Sequence, residues 1–326
     1  MDATREQDLI TVAELYYLQD FTMESIGRRM GRSRSSVSRL LKAAREEGFV
    51  SITLNNPAER RLGLAARLQQ AFGVETTVVT LTDDGDPAGS LEEVAMAAAR
   101  LLGMWMNHEM VLGVAWGTTT SAISRHLEQK TAKSSVVVQL NGAANPRTSG
   151  VTYAGTIMGR FASAFDSTIF DFPVPAFFDH VETKELMWSE RSIRRVLDVQ
   201  AEASIALFSV GGFTGSLPSH VYSAGYLEPA DIQAVKDQGV VGDVCTVMLR
   251  EDGSWEDLDI NRRASGPTPD LLKTLPRRLC VVSGEARARP LLAALRAGVA
   301  THLVIDELLA LHLLAAAATL PHIAAS

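Results

Sequence analysis

Residues 117–121 combine a glycine with four consecutive hydroxyl side chains, directly after an apolar run. This order predicts a buried strand that ends near Gly117 and a helix that begins with Thr118, Thr119 and Thr120. Backbone N–H groups at a helix N-terminus, a glycine that permits close approach and hydroxyl groups can together hold an anion. The alternative is a helix capped by a hydroxyl residue without a ligand, and this stretch alone does not decide between the two.

Further polar residues stand beside other predicted strands and could converge on the same place. They are Asn141 and Gly142, Gly242 and Asp243, the segment 283–287 that ends with Arg287, and Asp306 and Glu307. Ligands of open α/β sheets bind at the carboxyl ends of the strands. Arg287 could pair with a phosphate through two parallel hydrogen bonds, and Asn141 and Asp243 could bind sugar hydroxyls. Taken singly, each of these residues is more often a turn or cap residue.

The segment 22–48 indicates a different chemistry, the binding of phosphate groups on a nucleic acid. From Ser25 to Arg45 it has seven basic residues and no acidic one, which is typical of a surface that attracts phosphate. A helix over residues 33–47 would place its apolar residues on one side and short polar or basic residues on the other. The residues predicted to face DNA are Ser33, Arg34, Ser35, Ser38, Arg39 and Lys42.

Local signals around this helix favour a helix-turn-helix. Thr22 can cap a shorter first helix, Gly31 and Arg32 make the turn, Ser33 caps the second helix and Gly48 ends it. The alternative is a solvated surface helix with a basic bias. A helix of that kind usually mixes both signs of charge along its length, whereas here the acidic residues come only at the end, at Glu46 and Glu47.

Other chemistries find little support in the sequence. The seven histidines are scattered without the spacing of metal ligands, and no nucleophile motif of the G-x-S-x-G or Cys/His type is present. Asp252-Gly253 is predicted to form a hairpin turn rather than a calcium loop. Cys245 and Cys280 are the only cysteines, which indicates a reducing cytoplasm rather than a disulfide framework. No catalytic residue, metal ligand or cofactor is predicted.

Length and charge indicate two domains. The chain has 326 residues and a net charge of −7, and more than one core is expected at this length. Basic and acidic residues balance over residues 1–56, so the whole negative charge falls on residues 57–326. No signal peptide and no membrane-spanning run are recognised. We therefore expect a cytoplasmic protein with a small DNA-reading head on an acidic body.

Hydrophobic periodicity assigns the elements. Residues 8–19 are predicted to form the first helix of a three-helix head, residues 49–54 a strand and 55–57 the domain boundary. A helix over residues 58–72, with Leu62, Ala65, Ala66 and Leu68 apolar, could link head and body or pair with a second chain. Strands and helices then alternate. The strands are predicted at 74–81, 110–115, 136–140, 169–172, 205–210, 244–249, 278–282 and 302–305. The fold class is thus an all-α helix-turn-helix domain, 1–56, followed by a larger Rossmann-like α/β domain, 57–326, with a mostly parallel sheet.

Five segments, in their order and spacing, resemble the SorC family of sugar-responsive bacterial transcriptional regulators. They are SRSSVSRLLKAAREEGFVSI, GVAWGTTTSAI, VVQLNGAANP, LEPADIQAVKDQGVVGDV and SGEARARPLLAALRAGVATHLVIDELLA. The resemblance implies a helix-turn-helix followed by an effector domain similar to glucosamine-6-phosphate deaminase and ribose-5-phosphate isomerase. It implies a sugar or sugar-phosphate effector, operator DNA as partner, and a homo-oligomer, either a dimer or a tetramer.

By resemblance, the phosphate loop comprises Gly117 to Thr120, Asn141 and Gly142 form the next loop, and Asp243 and Arg287 close the site. Two positions depart from the family pattern. Arg287 stands where many members carry lysine, which keeps the charge but changes the geometry. Ile305 replaces the threonine of a usual Thr-Asp-Glu sequence. A non-phosphorylated sugar or polyol therefore remains an alternative effector.

Two other functions remain open from the sequence. The first is a sugar-phosphate isomerase or deaminase with an added DNA-binding head, because the fold alone does not decide between enzyme and regulator. The second is a constitutive DNA-binding protein with a vestigial effector domain. Turnover of sugar phosphates by the pure protein would identify the enzyme. If no sugar or sugar phosphate stabilised the protein against thermal unfolding, it would be the constitutive DNA-binding protein.

Overall fold

The structure is a computed structural model that describes residues 3–51, 57–80, 86–147, 150–215 and 219–319. The chain forms two compact units, Met1–Asn56 and Pro57–Ser326. We call them the head and the body.

The head is a bundle of three helices. Helix α1 (Ala3–Ala13) continues into one π-helical turn (Glu14–Leu18), and α2 (Met23–Met30) and α3 (Arg34–Glu46) follow. The Thr22 hydroxyl accepts a hydrogen bond from the Ser25 N–H at 3.2 Å, and the Ser33 hydroxyl accepts one from the Ser36 N–H at 3.2 Å. Both predicted N-caps are therefore present.

The turn between α2 and α3 and a small apolar core hold the three helices of the head together. Gly31 ends α2 in the left-handed conformation, with φ 64°, which glycine adopts without strain. Apolar side chains from all three helices meet in a small core, of which Val12, Ile26, Val37 and Leu41 are the most buried. The predicted helix-turn-helix is confirmed.

The strand predicted at 49–54 is wrong over its described residues. Phe49, Val50 and Ser51 are not in a strand, and Ile52 to Leu54 lie outside the described residues. The Val50 N–H donates to the Ala44 carbonyl at 3.1 Å, and Phe49 and Val50 pack against buried residues of α1 and α3. These residues close the end of α3, so their N–H groups do not form a strand ladder.

A seven-stranded parallel sheet is the centre of the body. Its strands are β1 (Glu75–Val79), β2 (Val111–Val114), β3 (Val136–Gln139), β4 (Thr168–Phe170), β5 (Ile205–Phe208), β9 (Arg277–Val282) and β10 (His302–Asp306). Their order across the sheet is β1-β10-β9-β5-β2-β3-β4, and all pairs are parallel. From β2 the chain adds β3 and β4 on one side of β2, and it then returns to place β5 on the other side of β2. This reversal makes β2 and β5 the point where such sheets open a crevice.

Helices cover both faces of the sheet. The helices of the body are α4 (Pro57–Phe72), α5 (Pro87–Trp105), α6 (Thr118–Arg125), α7 (Val151–Phe165), α8 (Val181–Ser189), α9 (Arg191–Ala201), α10 (His220–Ser223), α11 (Pro229–Asp237), α12 (Asp259–Arg263), α13 (Pro269–Thr274), α14 (Ala288–Arg296) and α15 (Glu307–Thr319). Successive strand residues point to opposite faces. Leu207 accordingly joins the core on one face and Phe208 the core on the other. The predicted α/β fold class is confirmed.

A second, three-stranded antiparallel sheet was not predicted. It comprises β6 (Val210–Gly212), β7 (Val240–Val244) and β8 (Val247–Arg250). The strand predicted at 244–249 is confirmed only over Val247–Leu249, which belong to β8; it is wrong as one continuous strand, because the chain reverses at Cys245 and Thr246, both with positive φ. No local signal marks this reversal, because residues 244–249 are mostly apolar and are typical of one continuous strand.

Other differences are smaller. Helices α8, α10, α12 and α13 were not predicted; the last three have only four, five and six residues. Residues 251–253 form a turn as predicted, but α12 follows it rather than a returning strand. Helix α4 buries Leu64 and Leu68, whereas Leu62 is 71% exposed. Of the apolar residues named for this helix, Leu62 and the exposed Ala66 do not join the core of the chain, and the pairing of this helix with a second chain stays a prediction.

Candidate functional sites

A cavity of about 420 Å³ lies at the carboxyl ends of the parallel strands. Residues that follow β2, β3, β5, β9 and β10 line it, and the small antiparallel sheet contributes one wall. Seven of the eight residues predicted for an effector site line this one cavity: Gly117, Thr118, Thr119, Thr120, Asn141, Asp243 and Arg287. Gly142 is not among the described residues that line it.

The loop before α6 forms one side of the cavity. The first intrahelical bond of α6 runs from the Ser121 N–H to the Gly117 carbonyl at 2.9 Å, so the N–H groups of Thr118 to Thr120, in the first turn of the helix, have no carbonyl acceptor within α6. The Thr120 hydroxyl donates to the Gly117 carbonyl at 3.1 Å, and the Thr119 hydroxyl accepts from Ser209 at 3.2 Å. The Thr120 hydroxyl therefore serves the internal structure of the loop, and the predicted anion binding at Gly117 to Thr120 stays a prediction.

Asn141 lines the cavity and has a buried amide oxygen. The residue is 2% exposed, and no described group donates a hydrogen bond to its Oδ1. Its backbone is held, because the carbonyl accepts from Gln139 Nε2 at 2.7 Å and from Trp116 Nε1 at 3.2 Å. A buried amide oxygen without a donor costs free energy unless a ligand or water supplies one.

Gly142 supports this loop from outside the cavity. Its N–H donates to the Ser265 hydroxyl at 2.9 Å, and its carbonyl accepts from Trp116 Nε1 at 2.8 Å. A Cβ at this position would lie 2.4 Å from the carbonyl oxygens of Val174 and Pro175. The glycine is required by close packing.

Asp243 is a buried carboxyl group in the wall that the small antiparallel sheet contributes, with 5% of its surface exposed. Its Oδ2 accepts from the Thr246 N–H at 3.1 Å, while Oδ1 has no donor at hydrogen-bond distance in the described chain, because the nearby Tyr222 hydroxyl donates to Met248 Sδ at 3.4 Å. Burial raises the pKa of Asp243 to about 6, against the lowering influence of the Tyr222 hydroxyl, the Thr246 N–H and the Arg287 guanidinium. The carboxyl group can therefore change charge within the physiological range.

Arg287 lies in the 3-10 turn Glu285–Arg287 and is 9% exposed. Its Nη1 donates to the carbonyls of Gly212, at 3.4 Å, and Thr214. Burial lowers the pKa of Arg287, while the nearby Asp243 raises it. At least one guanidinium nitrogen is thus hydrogen-bonded to the backbone at the end of β6 and just after it. That Arg287 pairs with an anion through two hydrogen bonds stays a prediction.

Charges around the cavity are mostly negative. Arg287 is the only arginine or lysine among the described lining residues, whereas four carboxylic acids line it: Asp86, Asp243, Glu285 and Asp306. Asp306 is fully engaged, because it accepts from the N–H groups of Gly284 and Leu309, each at 2.7 Å, and from the Ser90 hydroxyl at 3.2 Å. This balance suits a ligand of low charge with many hydroxyls.

Sequence reasoning missed several lining residues. Trp116 is 6% exposed and stacks on Tyr226 with ring centroids 4.7 Å apart. His220, whose pKa is lowered by burial, packs against Tyr153 at 4.7 Å. Gly211 and Thr246 flank Asp243. Only the Gly211-Gly212 pair gave a local signal, since paired glycines beside a strand indicate close approach of another group.

The polar side of α3 forms the second candidate site. All six residues predicted to face DNA are exposed, while Val37, Leu41 and Ala44 on the other side of the helix are buried. Arg34 and Lys42 make only long ion pairs, at 3.5 Å to Glu24 and 3.6 Å to Glu46, and such exposed pairs are weak. These cations can therefore exchange their partners for phosphate groups.

No cluster of possible metal ligands and no helix long and apolar enough to cross a membrane occur within the described residues.

A three-helix head with an exposed basic recognition helix, and an α/β body with a polar cavity at its strand ends, define a ligand-responsive DNA-binding regulator. The sequence model of the family Sugar-bind, described as "Putative sugar-binding domain", matches residues 56–315. A model of sigma-70 region 4, which is a DNA-binding region, matches residues 4–47. The chain belongs to the SorC family of sugar-responsive transcriptional regulators.

Relatives match over nearly their full length. The Deoxyribonucleoside regulator of Bacillus subtilis (strain 168) is 30% identical over 94% of this chain and 97% of that protein. The Sorbitol operon regulator of Klebsiella pneumoniae is 25% identical over 88% of this chain and 91% of its own. These relatives are transcriptional regulators by name.

Solved structures agree with the fold. "A domain of a possible sugar-binding transcriptional regulator" from Arthrobacter aurescens TC1 is 44% identical, covers 81% of this chain and 99% of its own, and has a TM-score of 0.74. The full-length sorbitol operon regulator SorC from Klebsiella pneumoniae covers 94% of this chain and 98% of its own, with 21% identity and a TM-score of 0.70. At this identity the second likeness shows the fold alone.

Proposed function

We propose that this regulator controls a carbohydrate-metabolism operon and that a small sugar, polyol or sugar phosphate in the body's cavity switches its operator affinity. The observation that carries the proposal is the pair of buried acceptor oxygens, Asn141 Oδ1 and Asp243 Oδ1, which belong to residues that line one cavity and have no donor at hydrogen-bond distance among the described residues. Sugar hydroxyls are donors of the kind that these oxygens lack.

The loop at Gly117 supports a second contact at the other end of the ligand. Its N–H groups at the start of α6 suit a phosphate or a cluster of hydroxyls. Relatives named for sorbitol, erythritol and deoxyribonucleoside regulation favour the same ligand class. The site would act on DNA binding through the difference in ligand affinity between two states of the protein, since only that difference shifts an equilibrium.

The test is a ligand screen with DNA binding measured alongside. Thermal unfolding is recorded against sugars, polyols and their phosphates, and operator fragments obtained by in vitro selection are titrated by fluorescence anisotropy. We expect at least one compound to raise the unfolding temperature and to change operator affinity tenfold or more, which corresponds to about 1.4 kcal/mol. A protein that binds its operator but responds to no compound in the panel would overturn the proposal.

A specific observation keeps one alternative, an isomerase or deaminase, testable. The pKa of Asp243, about 6, suits a general base, and His220 lines the same cavity. We nevertheless propose a regulator without catalysis, because the relatives are named as regulators. Incubation of the pure protein with ribose 5-phosphate or glucosamine 6-phosphate decides: conversion of either above the uncatalysed rate would make the cavity an active site.

We also propose that the regulator works in the cytoplasm as a homo-oligomer that presents paired heads to a near-palindromic operator. Helix α15 is apolar on nearly every side, yet Leu308 and Leu311 are 41% and 44% exposed. Ala315 and Ala318 continue this exposed face at spacings of three and four residues. A stripe of this spacing can pack against the same stripe of a second copy.

Substitution of this stripe tests the assembly. Leu311→Glu should yield smaller particles in light scattering and an operator affinity at least about a hundredfold weaker, because the second head no longer contributes. Leu186→Glu on α8, where the leucine is 70% exposed, is the matched control and should change neither. A wild-type monomer at micromolar concentration, with and without operator DNA, would contradict the proposed assembly.

A further inference from the structure

The small antiparallel sheet places Asp243 directly opposite a glycine. Gly211 of β6 is paired with Asp243 of β7, and residues opposite each other in such a pair place their side chains on the same face. A Cβ on Gly211 would lie 1.9 Å from Asp243 Oδ1 and 2.9 Å from its Cγ. The carboxyl group therefore occupies space that any other residue at position 211 would fill.

The neighbouring glycines keep this arrangement tight. A Cβ on Gly242 would lie 2.3 Å from the Gly211 carbonyl oxygen, and one on Gly212 would lie 2.9 Å from Arg287 Nη1. Arg287 in turn donates to the Gly212 carbonyl. The backbone under the carboxyl group is thus held by packing from both strands and from the guanidinium group.

The turn after β7 fixes the other carboxylate oxygen. Cys245 and Thr246 have φ of 50° and 73°, a conformation that β-branched residues such as threonine rarely adopt. In this turn the Thr246 N–H points at Asp243 and donates to Oδ2 at 3.1 Å. A costly backbone conformation beside a lining carboxyl group is typical of positions that orient a functional group.

We propose that Gly211 and Thr246 are positioning residues, which hold Asp243 so that Oδ2 is occupied internally and Oδ1 alone accepts a ligand hydroxyl. This inference rests on the proposed function and extends it to the orientation of the ligand. A negative group of the ligand is repelled by a carboxylate at this wall, so a phosphate, where present, lies at the Gly117 loop on the other side. Asp243 thereby selects a hydroxyl at one defined point.

The ligand-free protein tests the positioning directly. Asp carboxyl carbons are labelled with ¹³C, and the signal of Asp243 is assigned by its loss in Asp243→Asn. In Gly211→Ala the added methyl displaces Oδ1 and removes polar surroundings, so the titration midpoint should rise by about half a pH unit or more. Gly155→Ala is the matched control, since nothing lies within 4 Å of a Cβ there, and should leave the midpoint unchanged.

A second variant covers the case in which Gly211→Ala does not fold. Thr246→Gly relieves the left-handed backbone and loosens the N–H that donates to Oδ2, a hydrogen bond that lowers the pKa of Asp243. Its midpoint should also rise. The same midpoint and chemical shift in the wild type and in each folded variant would overturn the proposal.

Ligand binding forms the second arm, with sorbitol, D-ribose and D-ribose 5-phosphate as probes. A probe that stabilises the wild type should bind Gly211→Ala and Asp243→Asn at least about tenfold more weakly, and Gly155→Ala as tightly as the wild type. Equal affinity for Gly211→Ala would overturn the assigned contact. If the wild type binds no sugar, polyol or phosphate of the wider panel, the proposed function fails, while the carboxyl titration still decides the positioning.

Discussion

The two candidate sites are built in opposite ways. The polar side of α3 draws its residues from a single helix, all of them exposed and three of them cationic. The cavity draws buried residues from five strand ends and from the small sheet, and its key groups are acceptor oxygens. Charge on an exposed helix acts over a distance set by salt, whereas a buried acceptor acts only on a donor in contact with it. The first site should therefore respond to ionic strength, and the second to pH and to the shape of the ligand.

The largest effect should come from the ionisation of Asp243. Its folded pKa of about 6 lies above its ordinary value of 3.8, so the neutral carboxyl group favours folding. This contribution is fully present below pH 3.8 and is lost as the pH rises through 6, by about 3 kcal/mol in total. Asp243→Asn should remove this pH dependence from the free energy of unfolding, measured in denaturant between pH 4 and 7.

The control for this prediction is an exposed acid of the same domain. Asp270→Asn on α13 removes an exposed carboxylate that pairs with Lys273 at 3.1 Å, and its pH profile should follow the wild type. If the free energy of unfolding depends on pH in the same way in Asp243→Asn and in the wild type between pH 4 and 7, the carboxyl group is not buried as described. The contrast between a buried cavity and the exposed helix α3 would then not hold for Asp243.

The next effect concerns the exposed helix. Arg39→Ala should weaken operator binding by about 1–3 kcal/mol if the guanidinium reads a guanine, with relaxed specificity at that base. If the guanidinium contacts a phosphate instead, binding weakens on all DNA sequences. The slope of log affinity against log salt concentration then decreases by about one, because about one ion fewer is released on binding. Fluorescence anisotropy at several salt concentrations separates these outcomes.

Arg100→Ala removes an exposed arginine of the body and is the control for Arg39→Ala. Its operator affinity should equal that of the wild type. An Arg39→Ala protein with unchanged affinity, specificity and salt dependence would contradict the placement of α3 in the groove.

The same contrast explains what could be predicted from the sequence. Caps, turn and polar face of the helix-turn-helix all lie within residues 22–48, so local signals sufficed. The parallel sheet also followed from repeated apolar runs, and a glycine and polar residues at its strand ends indicated Gly117, Asn141 and Arg287. The hairpin at Cys245 and Thr246 could not be predicted, because neither residue type favours positive φ.

A smaller effect is expected at the Gly117 loop. Thr119→Val keeps the side-chain shape and removes one hydroxyl, so effector affinity should fall by about 1 kcal/mol, the usual contribution of one hydrogen bond. Operator binding without effector should stay unchanged. Thr156→Val on α7, whose hydroxyl donates to the Thr152 carbonyl at 2.9 Å, is the matched control. Normal effector affinity in Thr119→Val would place the ligand away from this hydroxyl.

The smallest effect tests whether the two sites belong to units that unfold separately. Thr22 caps α2 in the head, and Thr268 caps α13 in the body through a 3.3 Å hydrogen bond from the Leu271 N–H. Replacing either by alanine should lower the stability of its own unit by about 1 kcal/mol. Hydrogen exchange should then speed up about fivefold in α2 and α3 for Thr22→Ala, with no change in the strands around the cavity, and the reverse for Thr268→Ala. If hydrogen exchange became faster throughout the chain in either variant, head and body would unfold together, because the loss of one N-cap would then lower the free energy of unfolding of both units.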